Sequence, residues 1–205
     1  MNILDIGVGD GGWKEIQDVF PRTRNIRSSW LYEYGGSYAY GIDIDEKKLG
    51  KARSRINNGT QFLVMDACHT SFPDGFFNIV HINDVLCDVE MMMEIKRIIS
   101  TVGIIILKES VNNLKSLFSS GVFILFLDLV FGKKLTHSLD EIESDWYLNK
   151  LRESGFKITD EKYYWYFEIA GFTNLWFCNW ISRLLKIIRL DRAFCRKMVV
   201  TAIKL

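Results

Sequence analysis

An α/β architecture built on a mostly parallel sheet is what this sequence predicts, and three observations carry it. A short apolar strand at residues 3–6 runs straight into a glycine cluster and then into a helical pattern beginning near Trp13. Later strand patterns end in acids or amides at the same relative place, Asp43, Asp66-Ala67 and Asn83-Asp84. Strand-period and helix-period segments alternate over roughly residues 1–110, the pattern of parallel strands joined by crossover helices.

The first strand, Ile3-Leu4-Asp5-Ile6, enters Gly7-Val8-Gly9-Asp10-Gly11-Gly12. Glycine has no Cβ and tolerates positive φ, so a ligand can approach bare backbone there. The helix that follows directs its free N–H groups at the same spot. Asp5 adds a carboxylate at the carboxyl end of the strand, which repels phosphate and attracts a cation, so the loop suits a ligand with a positively charged head. Gly7, Gly9 and Gly12 also satisfy the spacing G-x-G-x-x-G, which keeps a nicotinamide-dependent oxidoreductase in play as an alternative.

The second strand pattern, Tyr38 to Asp45, ends in carboxylates of the kind that can hold both hydroxyls of a ribose, which the nicotinamide alternative would also use. The third, Gln61 to Met65, ends at Asp66-Ala67, where the acid can accept a hydrogen bond from an adenine amine and Ala67 leaves room for the ring. The fourth, Phe76 to Ile82, follows the turn Pro73-Asp74-Gly75 and exits at Asn83-Asp84. A helix and a fifth strand occupy Ile95 to Leu107, with the strand at Gly103–Leu107. Open α/β sheets bind ligands outside the carboxyl ends of their strands, so these acids fall where a ribose, an adenine and a cationic tail would be held.

This series resembles the class I S-adenosylmethionine-dependent methyltransferases, and within them the small-molecule and lipid subgroup that includes the quinone-biosynthesis enzymes. The resemblance rests on Leu4 to Gly11, Gly41-Ile42-Asp43, Asp66-Ala67, Phe72 to Val80, Asn83-Asp84-Val85-Leu86 and the segment Ile95 to Leu107. It implies a Rossmann-like sheet of seven strands, mostly parallel with an antiparallel last strand, and helices on both faces. It implies S-adenosylmethionine as cofactor, with Asp5, Gly7, Gly9, Gly11, Asp43, Ile44, Asp66, Ala67 and Asn83 as its binding residues. Asn78 stands where the family usually has an aspartate of mainly structural role. The chain starts two residues before its first strand, so the helices that commonly precede it are missing; either another element closes the site or the sequence is truncated. The stretch Phe20 to Ser37 is longer than one connection requires and reads as a lid edge or as plain surface.

Composition sets bounds. At 205 residues the chain is expected to form one domain, residues 1–110 binding the cofactor and 111–205 the acceptor through apolar helical insertions. A net charge of +1 offers no electrostatic case for nucleic acid. Cys68, Cys87, Cys178 and Cys195 contain no C-x-x-C pair and no zinc spacing, so no metal site is expected and a reduced cytoplasmic setting is the default. The only prolines are Pro21 and Pro73, so neither the Asn/Asp-Pro-Pro-aromatic motif of amino-methylating enzymes nor the Pro-Cys nucleophile of cytosine enzymes is present.

The second half reads more loosely. An apolar run at 122–127 is too short for a bilayer, which takes about 20 residues. Ser138 to Glu141 forms a capping box, opening a helix that should run to about Ser154 and stop at Gly155. Phe156 to Phe167 and Met198 to Ile203 fit a closing antiparallel strand pair. Residues 174–190 pattern as an amphipathic helix with aromatic and basic faces, either packed on the sheet or making a peripheral membrane contact or an apolar acceptor tunnel.

Methyl transfer from a sulfonium is an in-line displacement that needs alignment and dryness, and a base only for a hydroxyl acceptor. His137 is the candidate base; Asp84 and Glu109 follow strands four and five and are candidates for the acceptor side; His69 is a candidate for the adenine edge, and His81 for packing. The expected acceptor is a small molecule, a lipid or a glycan precursor. A catalytically degenerate interaction module is the non-enzyme alternative, and oligomeric state is not readable.

Overall fold

The computed structural model describes residues 1–11, 31–85, 87–111, 144–165 and 195–205. Seven strands form one sheet: β1 (Ile3–Ile6), β2 (Ala39–Asp43), β3 (Gln61–Val64), β4 (Phe77–Asn83), β5 (Ile99–Ser110), β6 (Phe156–Trp165) and β7 (Cys195–Lys204). Their spatial order is β3-β2-β1-β4-β5-β7-β6. The pairs from β3 through β5 are parallel. β7 runs antiparallel: the Leu205 N–H donates to Gly155 O at 3.2 Å and Thr159 Oγ1 donates to Thr201 O at 3.1 Å, so the partner retreats along β7 as β6 advances. At its far end the Lys204 ammonium donates to the carbonyls of Lys96 and Ile99 at 2.8 and 3.1 Å, placing the end of β7 beside the start of β5.

β1 lies inside the sheet, between β2 on one side and β4 on the other, and all four of its residues are buried. The chain moves outward from β1 to β3 and then returns to β4, so the strand order reverses between β1 and β4. An open parallel sheet has its crevice at that reversal, outside the carboxyl ends of the strands.

Four helices lie among the described residues: α1 (Leu31–Tyr34), α2 (Glu46–Arg55), α3 (Val89–Ile98) and α4 (Ser144–Glu153). Asp45 caps α2 by accepting from the N–H groups of Lys47 and Lys48, and Asp88 caps α3 by accepting from Met91 N. Leu49 and Ala52 of α2 are buried with Val8, Leu31, Ala39, Ile56 and Phe62 on one face of the sheet. Tyr40 points to the other face, because side chains alternate along a strand, and its ring meets the edges of Phe72, Phe76 and Phe77 at centroid distances of 5.4–5.7 Å. Gly155 ends the α4 turn at φ +82°, as the glycine stop predicts.

Two differences from the sequence reading have local causes. Leu31–Tyr34 is helical where a loop was expected; Leu31 is fully buried and its carbonyl accepts from Asn58 Nδ2 at 2.6 Å, which fastens that end of the connection to the sheet. β5 begins at Ile99, directly after α3, and not at Gly103. Phe77 pairs with Ile99 but Ile79 already pairs with Ile104, so residues 100–103 are absorbed in an irregularity and not in a turn. Asn78, at a position expected to be mainly structural, makes such a bond: its Oδ1 accepts from Asn2 N at 2.9 Å.

The chain divides into two compact units, Met1–Glu109 with Leu148–Lys162 and Val199–Leu205, and Ser110–Tyr147 with Tyr163–Met198. The first carries the glycine loop and the strand tips described next. Most of the second, including the apolar run, the capping box at 138–141 and the amphipathic segment 174–190, lies outside the described residues.

Candidate ligand-binding site

The glycine loop is shaped by backbone bonds across the β1–β2 tips. The N–H groups of Gly7 and Val8 both donate to Ile42 O, at 3.0 and 3.3 Å, and Gly11 N donates to Val8 O at 3.1 Å. Gly7, Gly9 and Gly11 all have positive φ, +74°, +58° and +82°. At Gly7 the requirement is also steric: a Cβ there would collide with Val85 Cγ2 and stand 2.8 Å from Asn83 O. A Cβ on Gly9 would meet nothing within 4 Å, so the loop presents open space at its tip. Arg55 of α2 fastens the loop from outside, donating to both the carbonyl and the carboxylate of Asp10, the latter at 2.7 Å.

Asp43 ties the first two strand tips together. One carboxylate oxygen accepts from Gly9 N at 2.8 Å and the other from Asp45 N at 2.9 Å. A carboxylate has about four acceptor sites, so a ligand hydroxyl can still be received there. At the third tip, Asp66 Oδ1 accepts from Cys68 N at 2.9 Å, which closes a tight turn through Ala67.

These tips surround one cavity of about 650 Å³, within the roughly 300–1,000 Å³ usual for small-molecule sites. Of the residues expected to bind a cofactor, Gly7, Gly9, Asp43, Ile44, Asp66, Ala67 and Asn83 line it. Ile44 is 75% exposed, an apolar side chain left bare at the wall. Asp84 and Val85 from the β4 tip, Lys48 from α2, Cys68, and Met91 from α3 line it as well. The reading by motif passed over Lys48 and Met91, since each reaches the cavity from a helix and belongs to no strand-end pattern.

Two expected residues stand elsewhere. Asp5 is fully buried and not part of the cavity wall; its carboxylate is 2.6 Å from His81 Nδ1, which lies opposite it in the β1–β4 register. Asp5 therefore does not stand where it was expected to meet the ligand: its side chain projects from the sheet beside that of His81 on the neighbouring strand, where both are buried. Gly11 also leaves the wall, because its Cα faces α2, where a Cβ would stand 3.2 Å from Ile56 Cδ1 and 3.5 Å from Ala52 Cα. His69 is exposed and pairs with Glu90 at 3.2 Å. Glu109 is buried and binds Val85 N. His137 lies outside the described residues.

Burial raises the Cys68 thiol, with the neighbouring Asp88 and Asp66 carboxylates adding to it, up to about 11, so the group is a neutral thiol at ordinary pH. Among the described residues no cluster of His, Cys, Asp and Glu is arranged to hold a metal ion.

Residues 24–107 match the family model described as a methyltransferase domain. No curated protein is detectably similar in sequence. Solved structures share the fold. An S-adenosylmethionine-dependent methyltransferase from Mesorhizobium loti superposes with a TM-score of 0.58 at 18% identity, covering 99% of this chain and 90% of that one. Geranyl diphosphate C-methyltransferase from Streptomyces coelicolor A3(2), in complex with Mg2+, geranyl diphosphate and S-adenosyl-L-homocysteine, gives 0.60 at 14% identity, covering 100% and 72%. The [4+2]-cyclase SpnF gives 0.59 at 18% identity, covering 99% and 75%.

Proposed function

We propose that this chain is an S-adenosylmethionine-dependent methyltransferase acting on a small-molecule, lipid or glycan-precursor acceptor. The observation that carries the reading is the convergence of Gly9, Asp43, Asp66 and Asn83, from four strand tips, on one cavity. The match of residues 24–107 to a methyltransferase domain supports it independently of the glycine loop, which precedes the matched stretch.

The residues present suit the cofactor. Asp43 receives the ribose hydroxyls with the acceptor capacity that Gly9 and Asp45 leave. Asp66 receives the adenine amine beside Ala67, and Ile44 covers the ring. The bare backbone at Gly7 and Gly9, with Asn83 opposite, takes the methionine end. S-adenosylmethionine supplies a methyl group already activated on a sulfonium, so the chain's work is to align an acceptor and exclude water. The Asp66-Ala67 step at the third strand tip counts against the nicotinamide alternative. The fold also hosts a [4+2]-cyclase, so the cavity and not the fold carries the reaction. The aromatic and basic pattern of 174–190 favours an apolar acceptor met at a membrane surface from the cytoplasmic side.

Isothermal titration with S-adenosylhomocysteine tests the reading. Asp43→Ala is expected to weaken binding by about tenfold or more, the effect of losing hydrogen bonds to a charged group. Gly7→Val should abolish binding. Wild-type affinity in both variants would remove the site. Methyl-labelled cofactor incubated with lipid and small-molecule extracts, followed by mass analysis, identifies the acceptor.

A further inference from the structure

The tip of β4 is held in a conformation it would not keep unaided. Asp84 sits at φ +50°, in the left-handed region that costs a non-glycine residue free energy. Its N–H donates to Lys108 O at 2.9 Å, and the next N–H, that of Val85, donates to Glu109 Oε1 at 3.0 Å. Glu109 is only 3% exposed, so this charge-assisted bond forms where water competes least. On the other side of the same residue, the Val85 carbonyl accepts from the Cys87 thiol at 3.4 Å. The N–H and the carbonyl oxygen of Val85 are thereby both bonded, and its Cγ2 occupies the space a Cβ on Gly7 would need. Asn83, Asp84 and Val85 line the ligand cavity; Glu109 and Cys87 stand behind it.

We propose that Glu109 is a positioning residue for the ligand cavity. By holding Val85 it keeps Asp84 in its left-handed conformation and fixes the surface on which Gly7 turns. Cys87 is the second restraint. Burial, with the Glu109 and Asp88 carboxylates nearby, pushes its thiol well above the usual range, so it remains a donor. The affinity part of the test rests on the cofactor reading above; the backbone part does not.

The experiment compares Glu109→Gln, which keeps an acceptor oxygen, with Glu109→Ala, which removes it, by amide hydrogen exchange at Val85 without ligand and by titration with S-adenosylhomocysteine. Glu109→Met, of similar volume and without an acceptor, replaces the alanine variant if that one fails to fold. Val85 should stay protected in Glu109→Gln, with affinity within about threefold of wild type. In Glu109→Ala or Glu109→Met its exchange should quicken and affinity should fall about tenfold. Unchanged exchange in the acceptor-free variants overturns the proposal. Equal losses in the glutamine and acceptor-free variants also overturn it, since charge and not the held N–H would then be responsible. If the wild-type protein binds no S-adenosylhomocysteine, the functional reading fails while the exchange at Val85 still decides this one.

Discussion

At the scale of single residues, charge and burial decide roles that residue type leaves open. Asp5 and Asp43 both follow the strand-end pattern, yet Asp43 reaches the cavity and Asp5 turns inward to His81. The buried pair fills adjacent places on two neighbouring strands, so His81 Nδ1 and the Asp5 carboxylate meet where water is absent. Cys68 shows the same dependence on surroundings. With its thiol raised to about 11, thiolate at pH 8 should be scarcer than for an ordinary cysteine by roughly a hundredfold. Alkylation by iodoacetamide, followed at this cysteine by peptide mapping, should therefore be slow at pH 8 and rise only towards pH 11. S-adenosylhomocysteine should slow it further, because Cys68 is on the cavity wall. Fast modification at pH 8 would show that burial and the Asp88 and Asp66 carboxylates do not hold this thiol up.

At the scale of elements, the connection from β3 to β4 is pinned to α3 by one ion network. Glu94 accepts from Thr70 N at 2.9 Å and from Thr70 Oγ1, and it pairs with Arg97 at 2.6 Å. Arg97 also donates to Phe72 O at 2.8 Å and pairs with Asp74 at 2.7 Å. The Arg97 guanidinium holds the Glu94 carboxyl down to about 2 from the usual 4.5, with Thr70 adding to it against the opposing effect of burial. A depressed carboxyl contributes stability above its unfolded value and loses it as pH falls towards the folded one. Glu94→Gln is thus expected to lower stability by about 1–2 kcal/mol at pH 7, a figure reduced because Arg97 is partly exposed to solvent. The gap from wild type should narrow between pH 4.5 and 2. Urea unfolding across that range measures it, and a pH-independent gap would exclude the ion network as the cause. The same connection carries Asp66, Ala67 and Cys68, so the network also steadies one wall of the cavity.

At the scale of the whole molecule, the crevice exists because strand order reverses between β1 and β4. A ligand that fits there contacts parts of the chain as far apart as Gly7 and Met91 and stabilises them together. At a concentration 100 times its Kd, S-adenosylhomocysteine should raise the unfolding free energy by about 2.7 kcal/mol, with a matching rise in Tm. NADH at the same concentration should leave Tm unchanged; the reverse result would favour the nicotinamide alternative.

Much of this arrangement was legible in the residues before any coordinates. Strand periodicity and turn chemistry are local properties, so the glycine loop, the first four strands, the Gly155 stop and the closing strand pair stand close to where the sequence reads them. The acids at Asp43 and Asp66 were legible for the same reason, each being the first polar group after an apolar strand. What tertiary structure alone decided was which strands are neighbours and in what register. That choice turned Asp5 to His81, set Gly11 against α2, brought Lys48 and Met91 to the cavity, and placed Glu109 behind Val85. Each of those contacts joins segments distant in the chain, and its energy depends on packing and buried hydrogen bonds that no local pattern of residues encodes.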